Sequence, residues 1–215
     1  FHHNLGRVVL NNTKLQKNSS NPSQMQEHIK KVFQNSIDLK QVMLADEVVI
    51  ALIEQLTTLC VSCFQQDGKL LFCGNGGSAA DAQHLAAEFS GRFYFDRPPL
   101  YAEALHVNTS YLTAVGNDYG YDETYARMVK AMGRKGDVLF AMSTSGNSAN
   151  ILRAVAVARE QGMTIIGFTG QTGGQLAAYC DYLLAVPSQD TPRIQECHML
   201  VGHLICELVE RELFG

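Results

Sequence analysis

Residues 137–148 read DVLFAMSTSGNS, an apolar run that breaks into a turn holding four hydroxyls, Ser143, Thr144, Ser145 and Ser148. A helix-like run, 148–161, follows at once. A short apolar segment bounded in this way predicts a strand at 137–142, buried on both faces. The turn then lies at a strand C-terminus and a helix N-terminus, where free N–H groups and the positive end of the helix dipole attract an anion. Hydroxyls add donors without adding charge, so the layout is that of a phosphate cradle. A Ser/Gly-rich turn also serves simply to cap a helix. The stretch lacks the Lys of G-x-x-x-x-G-K-[ST], and no G-x-G-x-x-G opens the first strand-to-helix turn. Nucleoside triphosphates and dinucleotides lose their sequence support, which leaves a small phosphorylated metabolite.

Outward from this unit, apolar runs alternate with helical patterns. Strands are expected at 69–73, 102–107, 137–142, 164–169 and 182–186, with helices from Ser78, from about Tyr121, from Ser148 and, briefly, from Gln175. Strict alternation predicts an α/β domain: a five-stranded parallel sheet with helices on both faces. Ligands bind such sheets at the C-terminal edge of the strands. Three Gly-rich turns fall there: 74–78 (GNGGS), the Ser143 loop, and 170–174 (GQTGG). Before the sheet, apolar residues from Ile29 to Leu59 recur at helical spacing, predicting one long N-terminal helix or two shorter ones. Residues 1–24, rich in Asn, Ser and Lys, read as an added leader or a disordered arm, and 25–215 as the domain.

The 215-residue chain is 46% hydrophobic and 18% charged, with net charge −4, enough for one sizeable core and without the basic footprint of a nucleic-acid or acidic-membrane binder. No apolar run approaches the roughly 20 residues of a membrane span, and no signal-peptide pattern opens the chain, so a cytoplasmic protein with no membrane partner is expected. Six cysteines are scattered through apolar runs, as buried reduced thiols are. Cys60 and Cys63 form a C-x-x-C inside a helical run, with no second pair to complete a zinc site.

The residues able to do chemistry lie on two helices. His84 and Glu88, at i and i+4, share one helical face at about 6 Å, a spacing that suits metal ligation or paired acid/base work and also an idle surface pair. In the last helix, Thr191 reads as N-cap and Pro192 as first residue. Gln195 and His203 sit about 12 Å apart along its axis, so they meet one ligand only by leaning inward or from different subunits. His198 reads as a packing residue. Asn117 and Asp118, at the edge of the second strand, suit sugar hydroxyls but are ordinary turn formers as well. Val48, Leu52, Leu56, Leu204 and Leu208 make more apolar surface than one sheet covers, predicting a homotetramer.

The stretches CGNGGS at 73–78, HLAAEFSGR at 84–92, VGNDYG at 115–120, STSGNSAN at 143–150 and RIQECH at 193–198 resemble the phosphoheptose isomerases of the sugar-isomerase (SIS) fold family. The likeness runs from about Met25 to Phe214. It implies isomerisation of sedoheptulose 7-phosphate to D-glycero-D-manno-heptose 7-phosphate through an enediol, the first step toward activated heptose for lipopolysaccharide or capsule. It further implies that Ser143, Thr144, Ser145 and Ser148 hold phosphate, that Asn75, Gly76, Gly77, Glu88, Asn117, Asp118 and Gln195 contact the sugar, and that Glu88 and His203 are base and acid. One zinc per subunit, held by His84, Glu88, Gln195 and His203, is implied as well. A second SIS-fold reading, a non-enzymatic protein that associates with the replication initiator, lacks an acid/base pair where this chain has Glu88 and His203. Thr191-Pro192 stands where some isomerases carry an acidic residue. SIS-fold transcription regulators carry a DNA-binding domain for which this acidic chain has no room.

Overall fold

The computed structural model describes residues 22–215. Most of the expected 1–24 segment therefore lies outside the described residues, and 22–24 open the first helix. The chain divides into two units, Phe1–Gln34 and Asn35–Gly215. In the described part of the first unit the chain is helical, with a surface pair between Lys30 and Glu27 at 3.1 Å.

The N-terminal helical pattern resolves into two helices, α1 (Pro22–Leu44) and α2 (Glu47–Gln65). The break falls at Asp46, whose side chain accepts a hydrogen bond from the Val48 N–H at 2.9 Å and caps α2, with Glu47 adding a favourable charge to its first turn. By length and composition α2 could cross a membrane, contrary to the sequence expectation. Its Ile53, Leu56, Thr57, Cys60 and Cys63 are nonetheless buried within the protein. One face of the helix packs on the core, and Glu54, Gln55 and Thr58 lie on the exposed face. Leu56, expected at an outer surface, is wholly in that core.

Five strands follow: β1 (Leu70–Gly74), β2 (Ala102–Ala104), β3 (Val138–Met142), β4 (Thr164–Thr169) and β5 (Tyr182–Ala185). They form one all-parallel sheet in the order β2-β1-β3-β4-β5. The helices between and after them are α3 (Gly77–Ser90), α4 (Thr109–Tyr119), α5 (Thr124–Met132), α6 (Ala149–Glu160) and α7 (Thr191–Phe214), with 3-10 turns at Tyr121–Glu123 and Gln175–Ala178. Period-2 alternation splits the strands between two cores. Leu70, Phe72, Phe140, Met142, Ile166 and Phe168 face the α2, α3 and α7 layer. Leu71, Cys73, Leu139, Ala141 and Ile165 face the α5 and α6 layer. On the first face, Phe72 stacks on Phe140 at 4.7 Å and Phe140 meets Phe168 edge-on at 5.7 Å, a ladder across β1, β3 and β4 whose pairs add about 0.5–1.5 kcal/mol each beyond area burial.

Helix α4 has no counterpart in the sequence expectation, which placed Asn117 and Asp118 in a turn and began the helix near Tyr121. Asn108 caps it by accepting from the Tyr111 N–H at 3.0 Å, and the polar run at 108–110 with Gly116 conceals its apolar spacing. The second strand ends at Ala104 instead of Val107. Helix α7 begins one residue earlier than expected, with Asp190 at the N-cap position and Thr191 inside. All six cysteines are free, and five are buried.

Candidate active site

The strand order reverses at β1, whose neighbours are β2 and β3, and a doubly wound sheet opens a crevice at such a switch point, outside the C-terminal ends of its strands. The loops after β1 and β3 meet there. Asn75 and the buried Asn150, in the first turn of α6, exchange amide hydrogen bonds at 2.8 and 2.9 Å, and the Tyr121 hydroxyl donates to Asn75 Oδ1 at 2.9 Å. Tyr125, buried in the second core, donates its hydroxyl to the Gly74 carbonyl. Asn75 thus has its amide orientation set by three bonds, with one N–H of Nδ2 left over.

Beside it stands the hydroxyl loop at the N-terminus of α6. Ser143 is buried, and its Oγ lies 3.1 Å from Ser148 Oγ and 3.5 Å from Ser145 Oγ. Ser148 occupies the N-cap position without using its side chain to cap, so its hydroxyl stays with the loop. The third Gly-rich turn buttresses this one: the Leu176 N–H donates to the Gly146 carbonyl at 2.9 Å, and Gly146, at φ +66, packs so closely that a Cβ would stand 2.0 Å from the Gly173 oxygen. A cavity of about 290 Å³ opens here, lined by Thr144, Ser145, Asn147, Gln171, Thr172, Ser188, Gln189, Thr191 and Ile194. Every polar group on that lining is uncharged. Such a cavity suits an anion bound through hydroxyls, amides and a helix N-terminus.

The second half of the site lies between α3 and α7. Gly202 admits Leu85, whose Cδ atoms would stand 2.6 Å from a Cβ there, so the two helices pack closely at that point. The next residue on α7, His203, thereby meets the preceding residue on α3, His84. Their Nε2 atoms are 3.0 Å apart, and His84 Nε2 is 3.2 Å from Glu88 Oε1. The three ligand atoms all lie within 4.8 Å of one another. Two ligands of a tetrahedral ion bound at ~2.0–2.1 Å are separated by ~3.3 Å, so this donor set fits zinc. The sequence left open whether His203 leans inward or reaches another subunit; it meets His84 within its own chain.

The first two turns of α7 divide the two halves. Thr191 and Ile194 line the hydroxyl cavity, whereas Pro192, Gln195 and His203 line a groove on the other side with Lys40, Asp81, Glu196, Met199 and Leu200. The Gln195 amide lies over the Cα of Gly77, where a Cβ would stand 2.4 Å from Nε2, so it touches the β1 loop. Asp81 Oδ2 is buried without a hydrogen-bond partner, and burial pushes this carboxyl up to about 6 against the pull of His84. Asn117 and Asp118 are exposed at the end of α4 and bond each other at 2.8 Å. The residue of that segment that reaches Asn75 is Tyr121. His198 is wholly buried, with Nε2 3.1 Å from the Thr169 carbonyl, as a packing residue should be.

Sequence reasoning did not single out Asn150, Tyr121, Ser188 or Gln189, whereas Gln171 and Thr172 belong to the 170–174 turn it placed at this edge. Ser188 and Gln189 follow β5 on the edge already identified, and Asn150 ends the quoted STSGNSAN run. Position past a strand's C-terminus was the available signal for them.

A family model described as SIS domain matches residues 33–170. A phosphoheptose isomerase of Aneurinibacillus thermoaerophilus is 52% identical over 190 residues, covering 88% of this chain and 96% of its own length. One from Burkholderia pseudomallei (strain 1710b) is 56% identical over 173 residues, covering 80% and 88%. Among solved structures, a phosphoheptose isomerase from Neisseria gonorrhoeae superposes with a TM-score of 0.82 at 46% identity, covering 87% of this chain and 99% of that one. Another, from Francisella tularensis, gives 0.84 at 37% identity, covering 87% and 98%.

Proposed function

The chain belongs to the phosphoheptose isomerases of the SIS-domain family, and on that premise we propose that it interconverts sedoheptulose 7-phosphate and D-glycero-D-manno-heptose 7-phosphate, the first step toward activated heptose for lipopolysaccharide or capsule. The observation that carries the reading is the pairing of a carboxylate and an imidazole, Glu88 and His203, in a chain that also holds a cavity lined by uncharged phosphate donors. The non-enzymatic alternative has no use for that pair, and the relatives that match nearly the whole chain are isomerases.

In the proposed reaction Ser143, Thr144, Ser145 and Ser148 hold the phosphate, and the N-terminus of α6 compensates its charge. Asn75, Gly76, Gly77, Asn117, Asp118 and Gln195 contact the sugar, with Asn75 offering its remaining N–H. Moving the carbonyl from C2 to C1 requires removal of a proton from C1, passage through an enediol, return of a proton to C2 and transfer of a proton between the two oxygens. Glu88 takes the carbon-bound proton and returns it to C2. His203 carries the proton between the oxygens.

His84, Glu88 and His203 would hold one zinc per subunit, which supplies polarisation of the sugar carbonyl when bound, whereas the Gln195 amide lies over Gly77, apart from those three. A carboxylate tied to a cation is a weaker base than a free one, so Glu88 serves as ligand or as base at any one moment. The working form is a homotetramer, supported by the exposed apolar residues Val42, Leu44 and Val48. A cytoplasmic location agrees with six free thiols and a phosphorylated substrate.

The deciding assay is purified protein with sedoheptulose 7-phosphate, followed for the aldose 7-phosphate. Production of the aldose at an enzymatic rate is expected. No turnover, with and without added zinc, would sink the reading.

A further inference from the structure

The loop between α3 and β2 is bound to both helices that carry the cluster. Glu210 lies on α7 seven residues beyond His203, and its side chain is 1% exposed. Its carboxylate accepts hydrogen bonds from the backbone N–H of Phe93 (2.9 Å), Tyr94 and Phe95 (2.9 Å) and from Arg97 Nε (2.8 Å). Burial alone would raise the pKa of this carboxyl, but these donors favour its charged form and hold the pKa below the ordinary carboxylate range. Arg97, 2% exposed, donates onward from Nη1 to the Phe89 carbonyl (2.9 Å) and from Nη2 to the Glu88 carbonyl (3.0 Å). Those carbonyls belong to the last turn of α3, which leaves them without partners inside the helix. One buried guanidinium therefore fastens the backbone of Glu88 to α7.

The same bracket delivers an aromatic ring to the cluster. With its N–H held by Glu210, Phe93 lies against His203, the ring centroids 5.7 Å apart and the planes at 46°. His203 also meets the His84 ring edge-on at 5.1 Å. The imidazole is thus in contact with two rings. A buried ion pair adds little net stability over apolar packing, because desolvation offsets attraction; what it does impose is a fixed geometry.

Resting on the reading that His203 moves a proton, we propose that Phe93, fixed by the Glu210–Arg97 bracket, is a positioning residue that keeps the His203 ring turned toward His84 and Glu88. In this role Phe93 acts through the imidazole. Without the ring, His203 is free to rotate toward solvent and spends less time in line with Glu88.

The test compares Phe93→Leu, which keeps the backbone bond to Glu210 and an apolar side chain, with Phe93→Tyr, which keeps the ring. For Phe93→Leu a loss of about 10- to 100-fold in kcat is expected with KM within about 2-fold, together with a loss of about 10-fold or more in zinc affinity by chelator competition. Phe93→Tyr should restore both. Wild-type kcat and zinc affinity in Phe93→Leu would overturn the proposal, as would a loss confined to KM or to melting temperature, or one that Phe93→Tyr shares. If the wild-type protein itself fails to isomerise the sugar, the functional reading falls, and zinc affinity across the three proteins alone decides whether Phe93 positions the cluster.

Discussion

Nε2 of His84 and Nε2 of His203 stand 3.0 Å apart although 119 positions separate the residues in the chain. At that distance the two nitrogens either share one proton or face one cation, and Glu88 Oε1, 3.2 Å from the first, supplies the negative charge that a cation needs. Protein purified without chelator is predicted to carry about one zinc per chain, and His84→Ala or His203→Ala to lose most of it. Elemental analysis of the three proteins checks this. Stripping with excess chelator should abolish turnover and added zinc restore it; full activity in a metal-free preparation would rule out a catalytic zinc.

Glu88 and His203 divide the proton transfers of the proposed reaction, so their removal should act on the chemical step more than on binding. Glu88→Gln and His203→Ala are predicted to lower kcat by about 100- to 10,000-fold while leaving the fold intact. Steady-state kinetics with a circular dichroism control measures both. A variant that keeps more than half of the wild-type kcat contradicts the assignment.

The sheet was legible because its strands are buried on both faces and so read as short apolar runs; the hydroxyl turn after β3 was legible as a cluster because four hydroxyls fall together between a strand end and a helix start. What stayed hidden depends on tertiary packing. Gln195 and His203 looked about 12 Å apart along one helix, and nothing in their spacing announced that Gly202 lets α3 approach until His84 meets His203. Arg97 and Glu210 drew no reading, because charged residues are seldom buried unless paired, and the pairing spans 113 positions. Helix α4 was missed for a local reason: the polar run Asn108, Thr109 and Ser110 shows no helical apolar period, although Asn108 is the cap of a helix.

Gly146 is held at φ +66 against the Gly173 carbonyl, so its substitution tests the cradle separately from the cluster. Gly146→Ala is predicted to cost about 1–3 kcal/mol from the left-handed backbone alone, more from the clash, and to raise KM for the sugar phosphate. Gly116, in the interior of α4, offers the contrast, since a Cβ there meets nothing within 4 Å. Gly116→Ala should stabilise by about 0.5–1 kcal/mol. Urea midpoints at unchanged m-value measure both, and equal effects from the two substitutions would show that the close approach at Gly146 does not exist in solution.

Burial pushes His198 down to about 4 from an ordinary 6.5, and its bond to the Thr169 carbonyl only partly resists this. The unfolded chain therefore binds a proton that the folded protein refuses between those values. Stability from this group is complete above about pH 6.5 and is lost as pH falls toward 4, by up to about 3 kcal/mol. His198→Gln, which can still donate to Thr169, should flatten that limb of the stability curve. Parallel slopes for variant and wild type across pH 4–6.5 would assign the acid limb to other groups.

Val48 is 75% exposed and Leu44 73% exposed, at the junction where α1 gives way to α2. Large apolar side chains this open cluster where a second surface covers them, and the outer face of α2 continues the patch through Ile50. Closed symmetry would hide such a patch on every subunit at once. Light scattering is predicted to give roughly four times the chain mass of 23.6 kDa, and Val48→Glu to shift the protein toward smaller species by burying a charge in the contact. Because His84, Glu88 and His203 converge within one chain, the cluster should keep its zinc in those smaller species. A fully active monomer at micromolar concentration would remove the tetramer from the account and leave the apolar junction without an occupant.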